Sequence, residues 1–159
     1  MAKTITLFIC FVFIVSCNSQ KTDQKEKRPL VSDKVMQFLG EKNFKLVENT
    51  QTVIQFNIKK KLIEGTKDEY SNKLILKDTL KPEVRDTFLL KLQDDLLYNW
   101  EESTKNDSFE PNKQFLLKGE TERLSLVLDE KRNTLGFISL DGQKLVTISK
   151  DLTNFLSNL

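Results

Sequence analysis

An α+β domain, with helices packed on an antiparallel sheet of about five strands, is the fold class this sequence predicts. Three observations carry the prediction. Segments around residues 54 and 124 alternate apolar and polar side chains with the period of two that a half-buried strand requires. Asp141-Gly142 separates two further strand-like segments and is the strongest two-residue hairpin signal in the chain. Between residues 82 and 102 the apolar side chains recur at helical spacing as a broad stripe.

Each element has its own signals. Ser32 is placed to cap a short helix, with Asp33 in its first turn, Val35, Phe38 and Leu39 on one face and Gly40 as the stop. Thr52 to Ile58 reads as a strand with Ile54, Phe56 and Ile58 on its core side. Gly65 to Asp68 turns the chain into a second strand, Tyr70 to Lys77. Pro82 suits the first turn of a helix, because its missing N–H is not needed there. That helix is expected to run to about Glu102 with Val84, Phe88, Leu89, Leu92, Leu96 and Trp100 as its apolar stripe. Ser103 to Asn112 reads as a polar loop. Strands are expected at Arg123–Leu128, Thr134–Leu140 and Gln143–Ile148. Ser149 caps a last helix carrying Leu152, Phe155, Leu156 and Leu159. The order is α-β-β-α-β-β-β-α, with three helices on one face of the sheet. Its expected core includes Phe38, Ile54, Phe56, Leu92, Leu96, Leu126, Val146 and Phe155.

The first 16 residues stand apart from this domain. Lys3 precedes an apolar run from Ile5 to Val15. Those eleven residues would reach about 16 Å as a helix, against about 30 Å of bilayer hydrocarbon, which suits a signal peptide and not a span. The run ends in Ile14-Val15-Ser16-Cys17, which resembles the lipobox of bacterial lipoproteins. The resemblance implies cleavage before Cys17, acylation of that cysteine and a firm anchor in a membrane. Cys10 lies inside the segment to be discarded. Residues 17–29 form the lipidated cysteine and a polar tether, and residues 30–159 one domain. Asn18 after the cysteine resembles the sorting pattern that permits passage to the outer membrane. The Phe-, Lys- and Asn-rich, Gly-poor composition resembles that of Bacteroidota proteins. Lys21 and Asp23 are a partial match to the export signal such lipoproteins carry, which leaves the periplasmic face and the cell surface both open.

Composition removes several function classes. The chain has no histidine, and its only cysteines are Cys10 and Cys17. The domain therefore has no His-assisted nucleophile, no thiolate metal site and no disulfide. Lys3 is the one charged residue of the first 16, leaving 24 bases against 23 acids, which is no footprint for nucleic acid. No serine is followed by lysine three residues on, the five glycines are too scattered to cradle phosphate, and no calcium loop is present. No cofactor and no metal are expected.

The remaining candidate residues each have a plain structural alternative. Asp94, Asp95, Glu101 and Glu102 are a carboxylate cluster of the kind a hydrolase needs, or the wet side of a helix. Lys59-Lys60-Lys61 is a basic site for anionic lipid or polysaccharide, or a strand edge guarded against aggregation. Trp100 with Tyr98 and Phe109 would stack on a sugar ring, or anchor the core. Asp78-Thr79-Leu80 resembles the O-glycosylation acceptor of exported Bacteroidota proteins; otherwise Thr79 starts or caps the long helix. The expected function is a membrane-tethered, non-enzymatic interaction or assembly module with an envelope protein partner, immunity-type proteins included. A glycan- or small-ligand-binding lipoprotein is the second reading and a carboxylate-dependent hydrolase the third.

Overall fold

The computed structural model describes residues 33–102 and 109–159. Ser32, the expected signal peptide, Cys17 and the expected tether with Lys21 and Asp23 lie outside the described residues. Helices α1 (Asp33–Leu39) and α2 (Glu41–Glu48) lead into strands β1 (Thr52–Leu62) and β2 (Tyr70–Thr79). Helix α3 (Pro82–Leu92) follows, then strands β3 (Lys113–Lys118), β4 (Arg123–Asp129), β5 (Thr134–Ser139) and β6 (Gly142–Thr147), and helix α4 (Lys150–Asn158). The fold is α+β, as the sequence predicts, with six strands and four helices.

The strands form one antiparallel sheet in the order β2-β1-β3-β4-β5-β6. Helix α3 is inserted between β2 and β3, so β3 returns to pair with β1 on its other side. That pairing covers only Thr52–Asn57 of β1. Ile58 N–H still reaches Asn112 O, and beyond it β1 has β2 as its one strand neighbour among the described residues and projects with it as a two-stranded arm. A bulge at Lys77 interrupts the β1–β2 register: Phe56 faces Leu76 and Gln55 faces Asp78.

The core lies between the sheet and its helices. Val53, Phe115, Leu117, Leu124, Leu126, Leu128, Leu135, Phe137 and Val146 meet Val35, Leu39, Phe44, Val47, Phe88, Leu92, Leu152 and Leu156. Leu92, Leu126 and Val146 are thus core as expected, and Phe38 and Phe155 pack against it half-buried. Gly40 ends α1 at φ +82°, its N–H bonded to Met36 O. Ser149 caps α4 through its hydroxyl, which accepts from Leu152 N–H.

Five expectations need correction. The long helix stops at Leu92 and not near Glu102, because the Asp94 carboxylate accepts from Leu96 N–H and starts a tight 3₁₀ turn at Asp95–Leu97 instead. Leu96, expected in the core, is therefore 88 % exposed. In β1 the period of two is correct but its phase is inverted: Val53 and Gln55 face the helices, while Ile54, Phe56 and Ile58 lie on the opposite face. Helix α2 and strand β3 have no counterpart among the expected elements. Consecutive Phe115-Leu116-Leu117 hides the alternation of β3, and its first inward side chain is a lysine. The last hairpin is present, but Ser139 pairs with Gly142, so Leu140-Asp141 makes the turn and Gly142 takes the positive φ of +117°.

Candidate functional site

The open face of the sheet is where the described surface is least like that of an ordinary soluble domain. Its rows follow from register: Ile54, Phe56 and Ile58 of β1 stand beside Thr79, Leu76 and Leu74 of β2, and Leu116 of β3 lies beyond Ile54. Leu74 and Leu76 are 46 % and 64 % exposed, and Leu62, Ile63 and Tyr70 at the end of the arm are exposed as well. At the other side of the sheet part of this face is covered, although Ile138 on the same face stays exposed. Phe109 lies on Gly136 beside Val127 and Leu145, so tightly that a Cβ on Gly136 would sit 3.2 Å from the phenyl ring. Asp129 accepts from Glu110 N–H at 2.9 Å, and Glu110 pairs with Lys60 at 2.8 Å, holding this segment across the sheet. The Lys60 ammonium also holds the Glu110 carboxyl below its ordinary range.

The opposite face of the arm is basic. Lys59 sits directly across from Lys73, and Lys61 is two residues further along β1. Of the predicted lysine triplet, only Lys60 has an ion-pair partner among the described residues, because the alternation of the strand sends it to the face where Glu110 lies.

Other sequence-predicted residues are dispersed. Tyr98 and Trp100 stack at 5.0 Å with 22° between their planes, and Phe38 meets Trp100 edge-on at 5.6 Å. Tyr98 is buried and donates to Leu92 O at 2.6 Å, while Trp100 Nε1–H donates to Asp95 O. Burial, reinforced by the charges of Asp94 and Asp95, pushes the Tyr98 phenol up from its ordinary value. Phe109 is on the far side of the sheet, so the three aromatics line no common site. A shallow cleft of about 380 Å³ does open beside Trp100, lined by Lys34, Asn99, Glu101 and Glu102. Asp94 caps the 3₁₀ turn, and Asp95 accepts from Val35 N–H at the start of α1. Thr79 is exposed at the end of β2; the N-cap of α3 is Lys81, so Thr79 does not cap that helix.

Two buried polar residues have structural surroundings that sequence reasoning missed. Lys113, on the core side of β3, donates to Leu156 O and Ser157 O at the end of α4, where a cation complements the helix dipole, and lies 3.6 Å from Glu130. Burial lowers its pKa. Gln55 is fully buried, and neither side-chain polar atom has a hydrogen-bond partner among the described residues. Among those residues, no group of three or more acids or cysteines converges to hold a metal ion, and no helix is long and apolar enough to cross a membrane. Comparison of the chain with protein-family models, with curated proteins and with solved structures finds no match.

Proposed function

We propose that this chain is a lipid-anchored envelope protein, held in the membrane by Cys17, whose domain is a non-enzymatic interaction module for another envelope protein. One observation carries the reading. Half of the large hydrophobic side chains exposed among the described residues, Leu62, Ile63, Tyr70, Leu74 and Leu76, sit on one hairpin arm. Apolar side chains gathered in this way mark a binding surface, whereas scattered ones do not. The polar groups best suited to chemistry are occupied in holding the fold: Asp95 at α1, Asp129 under Glu110, and Lys113 at α4. The anchor rests on the lipobox-like residues 14–17 and their position after the apolar run.

The test is crosslinking in intact envelopes. The wild-type chain is expected to carry a protein partner that Leu76→Asp loses at equal fatty-acid labelling, and recovery of no partner by the wild type overturns the reading. A second reading, glycan binding, has the cleft beside Trp100 in its favour; quenching of the single tryptophan by cell-surface sugars would support it. The outer membrane is the proposed location. If Lys21 and Asp23 direct export to the surface, replacing both with alanine lowers surface labelling without lowering the total. O-glycosylation at the exposed Thr79 would give a mass excess that Thr79→Val abolishes.

A further inference from the structure

We propose that the free edge of β2 accepts an extended segment of the partner as a seventh strand, and that this segment alternates apolar and acidic side chains. The proposal rests on the reading of the chain as an interaction module and names the mode of recognition. The two edges of the sheet differ. At β6, Asn99 N–H donates to Thr147 O at 2.9 Å and Tyr98 bridges Ile148, so part of that edge is taken. Among the described residues, strand β2 pairs with β1 alone over its whole length, Tyr70–Thr79.

The backbone of β2 is arranged to receive a strand. Ile63 N–H donates to Glu69 O at 2.8 Å, which makes that a hydrogen-bonded pair. Alternation along an antiparallel ladder then turns Ser71, Lys73 and Ile75 toward β1, and Tyr70, Asn72, Leu74 and Leu76 outward, their N–H and C=O without a strand partner among the described residues. Ile58 N–H, which donates to Asn112 O on the far side of β1, agrees with this phase.

The side chains specify the incoming segment. On the open face an added strand would lie beside Leu74 and Leu76, where apolar side chains extend the exposed row. On the other face it would lie beside Lys73. Lys73 and Lys59 stand directly opposite one another, an unfavourable pairing of like charges, and neither they nor Lys61 have an ion-pair partner in the described domain. An acidic side chain opposite Lys73 supplies the missing countercharge. A second copy of this chain does not fit: it brings its own three lysines to the same face, and the bulge at Lys77 limits the regular edge to Tyr70–Leu76.

The test uses the mature chain with Cys17→Ser and a short blocked peptide of alternating valine and glutamate, followed by backbone amide NMR. Shift changes are expected along β2, and slowed amide exchange at Asn72, Leu74 and Leu76 but not at Ser71, Lys73 and Ile75. Replacing the glutamates with lysines should weaken binding roughly tenfold or more, and Lys73→Glu, which neutralises Lys59 across the strand, should remove most of that charge preference. Leu74→Pro removes only an outward N–H, so it should abolish binding while β1 pairing survives; Leu74→Ala should retain it. No perturbation of β2 at millimolar peptide, equal binding by Leu74→Pro, indifference to peptide charge, or self-association through β2 would each overturn the proposal. Crosslinked envelopes separate the two levels. A wild type without a partner removes the module reading, whereas a partner kept by Leu74→Pro removes strand addition alone.

Discussion

Gln55 shows how one residue can oppose its own strand. It occupies an inward position of β1, across from Phe115, with its amide unpartnered among the described residues. A buried amide without a partner costs about 1–3 kcal/mol. Gln55→Met keeps the shape and is expected to raise stability by about 1–2 kcal/mol in denaturant titration; a loss of stability would show that the amide has a partner. Tyr98 carries a pH dependence of definite sign. Burial raises its phenol above the ordinary value of 10.0. The folded state therefore keeps a proton that the unfolded chain releases, and this component of stability is intact below about pH 10 and falls above it by about 1.4 kcal/mol per pH unit. Tyr98→Phe should cost about 1 kcal/mol at neutral pH, through the lost bond to Leu92 O, and should flatten the alkaline decline relative to the wild type. Denaturation midpoints measured from pH 8 upward check both.

At the scale of elements, the short helix α1 depends on a distant side chain. Its Val35 N–H donates at 3.0 Å to Asp95, sixty residues away. Asp95→Ala is expected to cost about 1 kcal/mol, and amide exchange should rise in α1 before it rises in the sheet. How legible an element is depends on whether its pattern decides its face. The alternation of Thr52–Ile58 reveals a strand, but Val53 and Gln55 compete with Ile54, Phe56 and Ile58 for the core, and hydropathy alone favours the wrong set. The docked helices reverse the choice, and the apolar row of the candidate site is the consequence. The same applies to the stripe from Val84 to Trp100, which is helical only to Leu92 because the Asp94 side chain after it bonds to the backbone locally.

At the scale of the molecule, the core of the described residues is drawn from positions 35–156, and the proposed anchor lies before it. A chain starting at Leu30 is expected to match the stability of the longer mature chain to within about 0.5 kcal/mol. Cys17→Ala should abolish fatty-acid labelling without changing the unfolding midpoint. A mature N-terminus other than a lipidated Cys17 would remove the anchor, and a lower midpoint for the shorter chain would place the tether in the fold.

The sequence alone determined what depends on local periodicity and on residue type. The α+β class, four of the five expected strands within a residue or two, the stops and caps at Gly40 and Ser149, and the absence of histidine and of any cysteine in the domain are properties of short windows or of composition. Tertiary structure decided what depends on partners far apart in the chain. These are the return of β3 to β1 across α3, the β2 edge left unpaired among the described residues, the side of β1 that faces water, the parting of Phe109 from Trp100, and the pairing of Lys60 with Glu110 while Lys59 and Lys73 face each other. Strand pairing is a long-range choice made by the whole core, and a window of ten residues carries no record of which neighbours it will meet.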